Sequence, residues 1–193
     1  IDNLNQLIPS AVHSPDGTWN INNNFPKLAS SAAHLFGKPK VWAEEGGGPG
    51  IDGKYQLDFQ AVRGVNAFQI RVPVTRFGQD TNASAPPPQA AMIAWYANRA
   101  GYLMAIGRPA AQVGLYHPGN TIWLGGEAAS EADRSTTKLG WQLFEHQVDW
   151  DYFDEQSLSS VAKLENGGFT NLSGQTYKAV VLPSMTVITR TGL

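Results

Sequence analysis

From Phe25 to Phe36 apolar residues recur at 25, 28, 29, 32, 35 and 36, the stripe of an amphipathic helix. Pro26 suits its first turn and Gly37 its C-terminal stop. A short strand is predicted at Lys40–Ala43, ending in Glu44-Glu45 and the glycine-rich run 46–50. Leu57–Val62 reads as helical and Val65–Val74 as a strand. Helix, strand, helix, strand at this spacing predicts an α/β segment over 1–78, carrying Glu44. Residues 79–90 hold three consecutive prolines and predict an extended linker.

The second half, 91–193, opens with a long helix predicted over Ala91–Ile106 and stopped by Gly107 and Pro109. Val113–Tyr116 is a short parallel-type strand leading into His117-Pro118-Gly119. A helix follows over Glu127–His146, then a strand at Asp149–Phe153 and one helical turn at Asp154–Leu158. A third strand is predicted at Tyr177–Leu182. That succession is the order of a doubly wound, flavodoxin-like sheet, so 113–116, 148–153 and 177–182 are expected in one parallel sheet.

Composition narrows the chemistry. The 193 residues are 42% hydrophobic, enough for a buried core. No apolar run approaches the roughly 20 residues of a spanning helix, so no membrane partner is expected. A formal charge of −2 provides no basic surplus to release phosphate counterions, so no nucleic acid is expected either. With no cysteine, disulfide scaffolds, zinc knuckles and thiol nucleophiles are excluded. Charged residues are only 16%, against about 25% in ordinary domains. Six Trp amid abundant Gly, Asn, Ser and Thr match the makeup of secreted, extracellular carbohydrate-active proteins. Ile1 follows no leader, which points to a processed chain or a piece of a larger one, and truncation is suspected at Leu193 as well. The triplets Asn82-Ala83-Ser84 and Asn171-Leu172-Ser173 are glycosylation acceptors in turns expected to be exposed, as in a glycoprotein.

The sharpest chemical feature is Val41-Trp-Ala-Glu44-Glu45 before its glycines. A carboxylate at the carboxyl end of a buried strand sits where barrel enzymes keep catalytic groups. Adjacent strand residues point to opposite faces, so at most one of the two serves a given pocket. The plainer reading is two solvated side chains at a loop edge. His34 reads as a half-buried packing residue, and His117 stands at the ligand-facing edge of the second half without any phosphate-binding motif. No H-x-x-x-H pair or G-x-S-x-G elbow is present. Asp149, Asp151, Asp154 and Glu155 form an acidic cluster that reads as a solvated strand edge. Trp42 and Trp123 are candidates for stacking on sugar faces or for packing.

The stretch Phe25-Pro-Lys-Leu-Ala-Ser-Ser-Ala-Ala-His34-Leu-Phe-Gly-Lys-Pro-Lys-Val-Trp-Ala-Glu44 resembles large glycoside hydrolases of the α-L-rhamnosidase-like group, glycoside hydrolase family 106. Asp58-x-x-x-x-Arg63-Gly-Val-Asn66 is similar to their next helix and strand. Trp95-x-x-Asn98-Arg-Ala-Gly-Tyr through Val113, Val148–Glu155 and Tyr177–Pro183 resemble their passage into a flavodoxin-like domain similar to the trimerisation domain of some β-galactosidases. The resemblance spans about residues 25–188 and departs where Ala-Glu-Ser is replaced by Ala43-Glu44-Glu45.

What it implies is specific. The fold would be the last βα units of a TIM-type barrel followed by a doubly wound sheet, since a whole barrel needs about 250 residues. The activity would be hydrolysis of terminal α-L-rhamnosides, with Glu44, or Glu45 after a one-residue slip, as one catalytic carboxylate and His34, Trp42 and Asn66 binding substrate. Partners would be a rhamnose-containing glycan or glycoside and the remainder of a parent polypeptide. Some members use calcium, whose ligands the sequence does not place. The alternatives are a non-catalytic carbohydrate-binding or oligomerisation module, or a stable proteolytic fragment.

Overall fold

A computed structural model describes residues 24–45, 51–70, 88–165 and 167–190. The chain divides into two compact units. One is described over 40–45, 51–70 and 88–108, the other over 24–39, 109–165 and 167–190.

The first unit alternates strand and helix: β1 (Trp42–Glu45), α2 (Ile51–Ala61), β2 (Ala67–Ile70) and α3 (Pro88–Ile106). β1 and β2 pair in parallel, with Ala43 opposite Phe68 and Glu44 opposite Gln69. Val41, Ala43, Leu57, Ala61, Val65 and Ala97 are its buried apolar residues. Gly101 of α3 lies so near β2 that a Cβ there would come within 2.8 Å of the Asn66 carbonyl oxygen. Tyr96 of α3 and Lys54 of α2 both hydrogen-bond the Asp58 carboxylate, tying the two helices. The expected strand at 65–74 is found at Ala67–Ile70, and its positions 71–74 lie outside the described residues. The expected linker is shorter, because Pro88, Gln89 and Ala90 open α3. A proline at a helix start loses only an N–H that has no partner in the first turn. Asn82 and the rest of the linker lie outside the described residues.

The second unit begins with α1 (Phe25–Leu35) and resumes after the first unit. Its sheet has the order β4-β3-β8, all parallel: β4 (Trp150–Phe153), β3 (Val113–Tyr116) and β8 (Ala179–Val181). The three segments expected to share one parallel sheet do so. Helices α4 (Gly119–Leu124), α5 (Gly126–Glu145) and α6 (Glu155–Ser160) connect them. A Cβ on Gly140 would meet the Trp150 ring at 2.7 Å, so glycine lets α5 settle on β4. Asp154 caps α6: its carboxylate accepts the Ser157 N–H at 2.7 Å while the Ser157 hydroxyl accepts the Asp154 N–H at 2.8 Å. The sequence pattern did not reveal a small antiparallel sheet of β5 (Lys163–Glu165), β6 (Gly168–Thr170) and β7 (Thr176–Tyr177). The expected strand at 177–182 is therefore shared between two sheets, with Lys178 at the handover.

Two expectations for α1 change. Its segment was grouped with Glu44, yet the helix packs on β4 in the second unit. Its buried face also mixes polar residues with the apolar Ala33 and Leu35. Lys27, Ser30 and Ser31 are buried while Ala32 and Phe36 are exposed. The Gly37 stop holds: Gly37 takes φ +63° and the Lys38 N–H closes on the Ala33 carbonyl at 2.7 Å.

Candidate functional site

In the first unit the candidate carboxylates occupy the carboxyl end of β1, immediately before the glycine run at 46–50. Their positions follow from the ladder. Paired residues of parallel strands share a face, and successive residues alternate. The face of Asn66, Phe68 and Ile70 meets α3, since a Cβ on Gly101 would lie 3.8 Å from the Phe68 ring. Position 45, opposite Ile70, belongs to that helix-covered face with Ala43. Position 44, opposite Gln69, belongs to the other face with Trp42. That face carries exposed groups: Trp42 is 38% accessible and Gln69 is exposed.

Asn66 has a structural task. Its side-chain oxygen accepts the Val41 N–H at 2.9 Å and so aligns the starts of β1 and β2. It also lines a half-open cavity of about 550 Å³ with Lys40, Phe68, Asn98 and Tyr102. This cavity lies on the α3 side of β2, so it does not serve position 44. Thus Trp42, Glu44, Glu45 and Asn66 share one unit but divide between two faces of its sheet.

His34 belongs to the other unit, in a cluster that the sequence did not reveal. Asp151, in the middle of β4, is fully buried. His34 Nδ1 hydrogen-bonds its two oxygens at 3.0 and 3.1 Å. The Ser31 hydroxyl donates to Oδ1 at 3.2 Å and accepts the Tyr152 N–H at 2.7 Å. The Tyr177 hydroxyl donates to Oδ2 at 2.8 Å and receives Asn171 Nδ2 at 3.1 Å. Lys27, only 1% exposed, lies 3.3 Å from Asp151 and 3.0 Å from Asp149, with its Nζ 5.5 Å from the centre of the Trp150 ring. Burial alone would push the Asp151 carboxyl up. The His34 hydrogen bond, the Lys27 and His34 charges and the Tyr177 hydroxyl outweigh it and hold the carboxyl well below the usual range. The same carboxylate and burial push the Tyr177 phenol far up.

The solvated-edge reading of the acidic cluster fails at Asp151, which is fully buried, while Asp149 and Asp154 are exposed and Glu155 is half-buried. Asp151 keys α1 to β4, and Asp154 is a helix cap. Asn171 is corrected as well: it is 5% exposed, its Nδ2 is bound to Tyr177, and its oxygen accepts from Ser173 and Gln175. An amide so placed is not an acceptor for glycan in the folded chain. A signal for the cluster was present in the sequence. Lys27, Ser31 and His34 fall at i, i+4 and i+7, one face of a helix.

At the carboxyl end of β3, His117 is half-buried and its ring meets Tyr152 edge-on at 5.5 Å. Burial lowers its pKa against the opposing pull of Asp154 and Asp133. Trp123, 85% exposed, stands free of the core on α4. Among the described residues no three acidic or histidine side chains gather as metal ligands.

No protein-family profile matches the chain, and no curated protein matches it. A solved structure does. The rhamnosidase from Novosphingobium sp. PP1Y has a similar fold, with a TM-score of 0.60 at 22% identity over 93% of this chain. The chain spans 18% of that rhamnosidase's length. The likeness is one of α/β architecture with parallel sheets. It extends over both units, so the rhamnosidase-like fold expected from the residues around Glu44 is present.

Proposed function

We propose that this chain is the α/β portion of a glycoside hydrolase that cleaves terminal α-L-rhamnosides, with Glu44 as one of two acid/base carboxylates. The observation that carries this reading is the position of Glu44. It is the next-to-last residue of a parallel strand, before glycines that allow close approach of a ligand, in a fold similar to a rhamnosidase. In this reading β1 and β2 are the last βα units of a TIM-type barrel. The order β4-β3-β8 is the beginning of a flavodoxin-like sheet, whose first three strands lie 2-1-3.

The chemistry divides between two carboxyl groups. One protonates the leaving glycosidic oxygen while the other draws a proton from water on the opposite side of the ring, the inverting arrangement. Glu44 supplies one, and the second comes from residues outside the described ones. Trp42, on the face of position 44, offers an aromatic surface beside it. The neutral, Trp-bearing composition supports an extracellular setting.

The test is turnover of an aryl α-L-rhamnoside by the polypeptide that contains this chain. Glu44→Gln keeps the shape and removes the ionisable group, so kcat falls about 10²–10⁴-fold. Glu45→Gln, on the helix-covered face, costs far less. Loss of turnover in Glu45→Gln alone moves the role by one residue. Wild-type turnover in both variants rejects the catalytic assignment. A second reading, a carbohydrate-binding module, is favoured by the exposure of Trp123 alone. It predicts glycan binding that Trp123→Ala abolishes while both glutamate variants leave it intact.

A further inference from the structure

Open parallel sheets take up their ligands in the crevice outside the carboxyl ends of their strands, where the winding reverses direction. In the second unit the chain winds from β3 to β4 on one side and reaches β8 on the other, so that crevice lies between the ends of β3 and β8. The chain itself runs across this edge. After β8, Pro183 is buried, and residues 184–190 pair with no strand among the described residues.

Instead, side chains on three helices hold the backbone of 184–190. The Ser184 N–H donates to the Ser135 hydroxyl of α5 at 2.9 Å. Thr121 of α4, just beyond the end of β3 and fully buried, accepts the N–H groups of Thr186 and Val187 at 3.2 and 3.1 Å and donates to the Val187 carbonyl at 3.3 Å. Glu155 of α6, just beyond the end of β4, accepts the Thr189 N–H at 2.8 Å and its hydroxyl at 2.5 Å. The same Glu155 carboxylate accepts the hydroxyl of Tyr116, the last residue of β3, at 3.1 Å. The segment thus leaves one strand end, is clasped beside the second and finishes at the third.

We propose that residues 184–190 form a releasable strap that closes the ligand-facing edge of the second unit from within the chain, with Thr121 and Glu155 as its clasps. The strap occupies the edge that a small molecule would use. Its closure is local. Ser184, Thr186 and Arg190 are exposed, and the rest of the segment is half-buried. Backbone groups held by side chains outside a strand ladder open without unfolding the sheet.

Amide hydrogen exchange on the whole chain tests this. In the wild type the Thr186, Val187 and Thr189 amides exchange at least about tenfold more slowly than in an unstructured peptide. Glu155→Ala speeds Thr189, and Thr121→Val speeds Thr186 and Val187, each about tenfold, while Leu115 of β3 and Val181 of β8 keep wild-type rates. Peptide-like rates at all three amides in the wild type would show that no strap exists. Acceleration of Leu115 and Val181 in step with the tail would show that the segment is an integral part of the sheet's core, and would overturn the proposal equally. Strap amides unchanged in both variants would remove the two clasps and the proposal with them.

Discussion

The two units spend their residues differently. In the second, α1 buries a lysine, two serines and part of a histidine, and Lys27, Ser31 and His34 converge on one buried aspartate. Its large aromatic residues interlock, as where the Phe153 and Tyr177 rings meet edge-on at 4.7 Å. In the first, whose described strands form a two-stranded sheet, α3 exposes a run of large apolar side chains. Met92, Trp95, Tyr102, Leu103 and Ile106 all project from α3 with more than half of their surface accessible. The comparison teaches that geometric specificity is concentrated in the second unit, whereas the candidate carboxylates stand in the first. The unit keyed by the buried aspartate holds neither candidate carboxylate.

The largest test of that contrast is Asp151→Ala. It leaves the buried Lys27 with the half-exposed Asp149 as its one carboxylate and takes the acceptor from the hydroxyls of Ser31 and Tyr177 and from His34, a change that costs about 3–5 kcal/mol. Urea unfolding should show that loss, while hydrogen exchange in β1 and β2 stays as in the wild type. A loss below about 1 kcal/mol would mean that the key is dispensable.

Next comes Gly140→Ala. The new methyl would lie 2.7 Å from both Asn24 Nδ2 and Trp150 Cζ2, in a site with no room to give. Overpacking of this kind costs about 1–3 kcal/mol, to be read as a lower midpoint at unchanged slope. Acid offers a graded version of the first test. The folded Asp151 carboxyl titrates below its unfolded range, so its contribution is complete above about pH 4 and is lost as pH falls toward the folded value. The second unit should therefore lose stability steeply below that point. Asp151→Asn should flatten the slope.

The smallest effect is expected on α3. Leu103→Gln and Met92→Gln alter exposed positions and should stay within about 0.5 kcal/mol of wild type. A cost above about 1 kcal/mol would show that this face is covered in solution and would narrow the difference between the units.

How much of this was legible in the sequence depended on whether a segment's partners lie near it in the chain. The three parallel strands were readable because each is a short apolar run between glycine, proline or aspartate stops, as at Val113–Tyr116. The position of Glu44 was readable for the same reason. The burial of α1 was not. Its apolar stripe suggested one face, but the face chosen is set by Asp149 and Asp151, more than a hundred residues later, and no local period reports such a pairing. The β5-β6-β7 sheet was hidden because its strands have three, three and two residues, and all of β5 is exposed. Nor could the pattern show that Asn66 and Asn171 serve backbone and phenol partners, since an amide side chain in a turn looks the same whether it is solvated or enclosed.

The order of segments has a consequence for biogenesis. Helix α1 precedes residues 40–108, but the strand groups that receive its polar face, Asp149, Asp151 and Tyr152, follow them. During synthesis α1 emerges early with Lys27 and Ser31 unmatched, then waits while residues 40–108 are made and form their own compact body. Only the arrival of β4 lets the second unit close, and that step must bring together the two ends of the intervening loop. Loop-closure entropy rises only logarithmically with length, so once 40–108 have already contracted the span to be closed is shorter than for an open chain. The earlier body thus acts as a scaffold for completing the later one, and a lesion that slows collapse of 40–108 should lower the yield of a unit it does not belong to.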